Sequence, residues 1–549
     1  MKKISKILVI MFVTLTSLTG CDSLLDVDSD RLVFADDYKL DAANDTLYST
    51  FAIFSRLQKI ADSYVLLGEL RGDLVAVTDS ADMYLKEIYD WNISSDNPYT
   101  DNLKDYYAVI NNCNYVIHNI DTSHVTSGEK RMYGYYVAAK AIRAWTYMQI
   151  VFNYKTAVYY DDPILTIEQA KATYPEYTFE ELAPVLLADL EPWQDYTEPR
   201  YFSGMNFPVK FIIGDLYLWL GAYTNNTGYY EKAATAYHNL IVDNKYTMSS
   251  SSDGDANGIN DDLSYYGVTN SVFNGNISVR SYWLSDYITY LEASNQVEKN
   301  LKLDSLVLNR MIAPTAVAIN NWATQKYVYD YDVDTIGDLR GILSVSPSKS
   351  SIGTDLNADG RNYLFKYITM NGYESSSSVK LIWIYREGLL YLRYAEAVNR
   401  LGKPNLAFAA LKNGLKEANI TNKKIVPVSE RDSVLPEYMD FSNDAFKYNV
   451  GVHARGCGRI QYDTIDYRIP NYAGNQDPKL DSILYVENKI QEELALEDAF
   501  EGNRFQDLMR FSIRRDDNSY LANIVSSKYT DNKEAVKTKL LDRNNWYLK

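Results

Sequence analysis

The chain is poor in the residues from which metal centres and covalent frameworks are made, with three cysteines and four histidines in 549 residues. So small a stock excludes a His-rich metal site and a multi-bridge disulfide scaffold. Long hydrophobic runs are missing too. Beyond the first twenty residues, none approaches the roughly 18 that would suggest a membrane-spanning helix. Cationic side chains are in deficit, 55 Lys+Arg against 72 Asp+Glu, for a formal net charge of −17. Such a surface repels phosphate, so nucleic acid is not an expected partner. The G-x-S-x-G, H-E-x-x-H and G-x-x-x-x-G-K-[ST] signatures are all absent, which removes the commonest local marks of catalysis. What the chain does have is apolar mass and tyrosine. Hydrophobic residues make up 46%, enough for a large core and too many for a disordered linker. The length allows several modules or one large domain. The 49 tyrosines, beside 8 Trp and 17 Phe, place many phenols at or near the surface, because the polar tip seeks water or a partner.

The N-terminus is the sharpest local signal. Met1 to Lys6 is basic, and an apolar run from Ile7 to Leu18 follows. At about a dozen residues, that run is too short to span a bilayer and reads as a secretory signal. It ends in Leu18-Thr19-Gly20-Cys21, which resembles the bacterial lipobox. The resemblance implies a signal peptide over 1–20 and lipid on Cys21 as the mature N-terminus. Residues 21–35, with Asp22, Asp26, Asp28 and Asp30, read as an acidic lipidated tether. Lipid is then the expected membrane attachment. The two remaining cysteines, Cys113 and Cys457, fit a disulfide in an oxidising compartment or two buried thiols equally well.

The body, 36–549, reads as one mainly α domain. Two segments align without gaps, one from Tyr217 through Gly228 and Ala233, the other from Tyr391 through Gly402 and Ala407; both keep an 11-residue Tyr-to-Gly and a 5-residue Gly-to-Ala spacing. They resemble tetratricopeptide helix pairs, in which small residues let antiparallel helices approach; the pairs are expected over about 208–243 and 387–418. Pro404 suits a first helical position. Apolar periodicity predicts a further helix over about 129–152. Thr178 with Glu181 predicts a capped helix running to Leu190, with Pro184 as a potential kink. Leu494, Leu496, Phe500, Phe505, Leu508 and Met509 line a helical region near the C-terminus. Between the pairs, about 247–379 is Ser-, Asn-, Asp- and Tyr-rich and reads as an irregular insert with short strands and long loops, the usual place for a binding surface.

Three passages carry a family resemblance. Arg393-Tyr394-Ala395-Glu396-Ala397 with Leu401-Gly402, the run from Glu497 to Arg510 (E-D-A-F-E-G-N-R-F-Q-D-L-M-R), and Arg71-Gly72-Asp73 followed by Trp91, Tyr106, Ile110 and Asn114 together resemble the SusD/RagB family of outer-membrane nutrient-uptake lipoproteins. Phe505-Gln506 departs from the aromatic pair or Trp often found there. The resemblance implies a SusD-like helical scaffold with tetratricopeptide-like pairs, packed on a loop-rich ligand-facing region with few short strands. It also implies cell-surface exposure on the outer membrane. The expected partner is a SusC-like TonB-dependent transporter, over which such a protein acts as a lid delivering an oligomer, usually a glycan.

Sugar rings present apolar C–H faces, so flat side chains beside polar groups are the natural ligand contacts. The loop Trp91-Asn92 to Asp96-Asn97 offers a platform with amide and carboxylate partners, or else a tryptophan packed on the next helix; Arg71 and Asp73 precede it. Trp283 with Tyr287 and Tyr290, and Trp322 with Tyr327, are further candidates that would serve equally as core. The Glu501 to Arg510 charges read as structural, Arg504 and Asp507 being spaced to pair along a helix. Asp253-x-Asp255-x-Asn257-Gly258 and Asp355-x-Asn357-x-Asp359-Gly360 match the start of a calcium loop. Both lack the closing glutamate, having Ser264 and Lys366 there; solvated turns explain them as well, and no other cofactor is expected. Function thus reads as a binding lipoprotein without chemistry. Peptide in place of glycan is the alternative, and a lipid-anchored glycosidase the more distant one, since paired carboxylates occur by chance in so acidic a chain.

Overall fold

The structure, a computed structural model, describes residues 43–123, 125, 130, 132–196, 207–248, 287–293, 302–329, 333–345, 362–367, 380–431, 434–457 and 467–548. Its frame is a succession of packed helices. Helix α1 (Ala43–Leu70) lies against α3 (Leu103–Asn119) and α4 (Met132–Tyr154), with the short β1 (Val75–Val77) and α2 (Met83–Tyr89) between them. The β2–β3 ribbon (Ala157–Val158, Glu176–Tyr177) leads into α5 (Phe179–Leu190). There Glu181 reaches back to the Thr178 N–H at 2.9 Å, satisfying an orphan donor of the first turn. Pro184 lies inside α5, and the helix continues through it to Leu190. An aromatic seam joins α4 and α5 to the next helix: Phe152 stacks on Trp219 at 4.2 Å and Phe179 on Tyr223 at 5.5 Å.

Helices α6 (Val209–Thr224) and α7 (Thr227–Asn244) form a hairpin around Asn225 and Asn226, Asn225 adopting φ 54°. Two glycines explain how closely they approach. A Cβ on Gly214 would fall 2.4 Å from the Tyr237 ring, and one on Gly221 would fall 2.7 Å from the Tyr230 ring. The two tyrosines therefore lie directly on the α6 backbone.

After α7 the chain enters the stretch that the sequence marks as an irregular insert. Among its described residues, strand β4 (Tyr287–Ala293) packs on α1, and three short helices, α8 (Leu303–Leu308), α9 (Ala316–Ala323) and α10 (Leu339–Val345), alternate with β5 (Ile312–Pro314), β6 (Lys326–Tyr329) and β7 (Val333–Ile336). At eight residues or fewer, these helices are too short for periodicity to reveal. A local cap holds α9, where Thr315 Oγ1 accepts from the Ala318 N–H at 3.1 Å. Strand β8 (Lys380–Arg386) pairs antiparallel with β4. Its Ile382, Trp383, Ile384 and Tyr385 are all buried, so it reads as a continuous apolar run rather than an alternating one.

β8 runs straight into α11 (Glu387–Arg400), which turns through Gly402, at φ 78°, into α12 (Pro404–Lys412). Pro404 occupies the first turn. The C-terminal helical region is two helices, not one: α13 (Pro478–Glu497) and α14 (Arg504–Arg515), broken where Phe500 and Gly502 take φ of 70° and 94°. Helices α15 (Asn518–Ser526) and α16 (Lys533–Leu540) close the chain. No helix among the described residues is long and apolar enough to cross a membrane.

Candidate functional site

The charges of the three family-like passages meet one another inside the protein. On α11, Glu396 receives Arg510 of α14 through two bonds (2.8 and 2.7 Å), and Arg393 pairs with Asp507. Asp73 is held by Arg504 through two parallel bonds, at 2.6 and 2.9 Å, across 431 residues of sequence. Arg504 thus pairs with the N-terminal passage instead of its helix neighbour Asp507. The break between α13 and α14 is a second knot. Arg386 donates to Glu501 (2.8 Å), Glu497 (3.1 Å) and Asp498 (3.1 Å). Arg340 reaches Glu493 (2.6 Å) and Glu497 (2.9 Å), and Arg455 adds a third guanidinium on Glu497 (3.0 Å). Through Arg340, the described part of the insert is tied to α13.

Burial alone would raise the carboxyl pKa values of Glu396 and Glu497; the surrounding guanidiniums outweigh it and hold both well below the usual carboxylate range. Groups so saturated have no proton to give near neutral pH and no lone pair aimed at a cleft. Their chemistry is cohesion. Among the described residues, no group of three or more His, Cys, Asp or Glu is placed to hold a metal ion.

The ligand candidates fare differently from one another. Arg71 is fully buried, donating to Leu67 O (2.8 Å) and Trp546 O (3.1 Å), with its guanidinium 4.6 Å over Phe505; burial lowers its pKa to about 10. Asp73 is spent on Arg504. Trp91, 4% exposed, packs on Phe505 at 5.2 Å. Asn97 is buried, its amide donating to Tyr84 O (2.9 Å) and Glu87 (3.0 Å). Trp322, 3% exposed, donates to Leu496 O at 3.2 Å and meets Phe500 edge-on. These five belong to the core: a ring with no open face cannot stack on a sugar, and a guanidinium or amide already bonded internally has little left to offer. Asn92 and Asp96 stay exposed, Asn92 accepting from Lys539 at 2.9 Å. Tyr287 begins β4 opposite Arg386. Trp283, Cys21 and the calcium candidates Asp253, Asp255 and Asn257 lie outside the described residues. Cys113 is a free, buried thiol whose pKa burial pushes up to about 12.

The same arrangement of helices is found in solved structures. A SusD superfamily protein from Bacteroides vulgatus superposes with a TM-score of 0.60 at 12% identity, over 93% of this chain and 96% of that one. The chain has the SusD-like fold. Two further SusD-like likenesses are surface glycan-binding protein A from Bacteroides fluxus (TM-score 0.54, 15% identity, 90% and 94% covered) and NanU of B. fragilis (0.52, 18%, 90% and 93%). No family model and no curated protein matches the sequence.

On this SusD-like frame, one described tryptophan outside the candidates named from the sequence keeps an accessible indole. The other six described tryptophans, among them Trp145, Trp219 and Trp546, are all below 9% exposed. Trp193, just past α5, is only partly buried and meets two partly buried tyrosines from the start of α4: Tyr133 at 5.8 Å and Tyr136 at 5.1 Å. The sequence did carry a signal, Pro192-Trp193 followed by Gln194 and Asp195, a rigid aromatic next to polar residues. Its tyrosine partners, about 60 residues upstream, left none.

Proposed function

We propose that the protein captures oligosaccharide at the cell surface, held to the outer membrane by lipid on Cys21, and passes it as a lid to a SusC-like TonB-dependent barrel without chemistry of its own. The observation carrying this reading is the fold, shared over nine-tenths or more of both chains with structures that include a surface glycan-binding protein. The lipobox-like Leu18 to Cys21 supports the anchoring, and the saturated ion pairs support binding over catalysis. Isothermal titration of the purified chain against a panel of neutral oligosaccharides tests it. Heat on mixing without any shortening of the sugar is the expected result. Release of shorter products would make it an enzyme, and silence across the panel alongside binding on a peptide array would replace the ligand class.

A further inference from the structure

Aromatic clusters in this protein are of two kinds. In the first, hydroxyls are spent on the fold: Tyr107 accepts from the Val158 N–H (2.7 Å), Tyr160 donates to Tyr107 O (3.4 Å), and Tyr174 donates to Gln169 O (3.0 Å). The cluster at Trp193 is of the second kind. Among the described residues, neither the Tyr133 and Tyr136 hydroxyls nor the Trp193 indole N–H has a hydrogen-bond partner. The two phenol rings are tilted at 48° and 63° to the partly exposed indole.

The cluster is also built to stay in place. Trp193 ends a 3₁₀ turn containing Pro192, closed by Gln194 N–H to Glu191 O at 3.2 Å and Tyr196 N–H to Trp193 O at 3.0 Å. The Lys140 ammonium lies 5.0 Å over Tyr136 and is itself fixed by Asp189, which Arg143 also grips at 2.6 Å. A preorganised ring loses little entropy when it takes a ligand. Lysines cover one face of each tyrosine, Lys130 standing 5.4 Å over Tyr133, while the indole keeps part of its surface exposed. Gln194 and Asp195 follow it and are exposed, Asp195 lying 3.9 Å from the Lys210 ammonium.

We propose that Trp193, Tyr133 and Tyr136 form a carbohydrate contact platform where α4 begins and α5 ends; the assignment rests on the carbohydrate-capture reading above. The apolar C–H face of a neutral pyranose lies on the indole, and its hydroxyls bond to the two phenols, the Gln194 amide and the Asp195 carboxylate. A polyhydroxylated ligand replaces the water on those phenol hydroxyls with new bonds, whereas an apolar one would only desolvate them, so the occupant is polyhydroxylated.

The full chain is titrated with the neutral oligosaccharide panel as wild type, Trp193→Ala, Trp193→Phe and Tyr133→Phe/Tyr136→Phe, with thermal melts confirming that each variant is folded. The expected result is wild-type binding that Trp193→Ala weakens about tenfold or more. Trp193→Phe keeps most of the affinity, and the double phenylalanine variant loses severalfold through its hydroxyls alone. Wild-type binding that Trp193→Ala and the double variant both leave intact overturns the platform while the capture reading stands. A wild type that binds no sugar overturns both.

Discussion

Glu396 has no water to fall back on. Its carboxylate is 1% exposed and lies among Arg510, Arg514 and Arg393, so Glu396→Ala would strand buried guanidiniums. Removing one partner of a buried pair costs about 3–5 kcal/mol. The exposed pair Lys489–Glu492 is the control, and losing it should cost under about 1 kcal/mol. Urea unfolding of Glu396→Ala and Glu492→Ala should separate by that margin; equal midpoints would mean the buried network contributes no cohesion. Glu69 makes a different statement. Burial raises its pKa from 4.5 to about 7, against the Gly502 N–H bond at 2.8 Å that favours the anion. In the unfolded chain it ionises at its ordinary value, so between about pH 4.5 and 7 the folded state holds the extra proton. Stability therefore falls as pH rises through that window, by about 3 kcal/mol in total. Glu69→Gln keeps an acceptor for Gly502 and removes the titration. Its stability relative to wild type should be near zero at pH 4 and clearly positive at pH 8; the same difference at both pH values would show that Glu69 is ionised in the fold throughout.

At the scale of elements, α6 and α14 are shaped by what presses on them. Alanine in place of a mid-helix glycine ordinarily gains about 0.5–1 kcal/mol. At Gly221, however, the new methyl would enter the Tyr230 ring, and forcing a ring out of a packed helix pair costs about 1–3 kcal/mol. Gly221→Ala should therefore lower the thermal midpoint, and a raised midpoint would show that α6 and α7 have room to part. Helix α14 carries Arg504, Asp507, Arg510 and Arg514 at buried positions. Taken alone, such a charged stripe reads as a solvated face. Apart from the Asp507–Arg510 pair within the helix, its acidic partners come from α11, α13 and Asp73 in the turn after α1, so no window along α14 contains the whole reason for its burial.

At the scale of the whole molecule, the −17 charge bears on ligand choice. Strongly anionic polysaccharides should be disfavoured through long-range repulsion. Electrophoresis in gels containing heparin or pectin should leave the protein's mobility unchanged, and strong retardation would reveal a local basic patch or a bridging cation. Much of the architecture was legible in the chain itself. Hydrophobic periodicity, the repeated Tyr-to-Gly spacing, Pro404 and the Thr178–Glu181 cap are local, and local chemistry decides which residues form helices and where they begin. The structure alone decided which aromatic rings face water. Trp91 and Trp322 sit in polar, loop-like sequence and are buried, because Phe505, Phe500 and Leu496 arrive from more than 170 residues away. Trp193 keeps an accessible ring because its neighbours from α4 cover only part of it. Exposure is a sum over contacts that sequence distance does not encode, and for that reason the frame could be read from the chain while the exposure of each ring had to be seen.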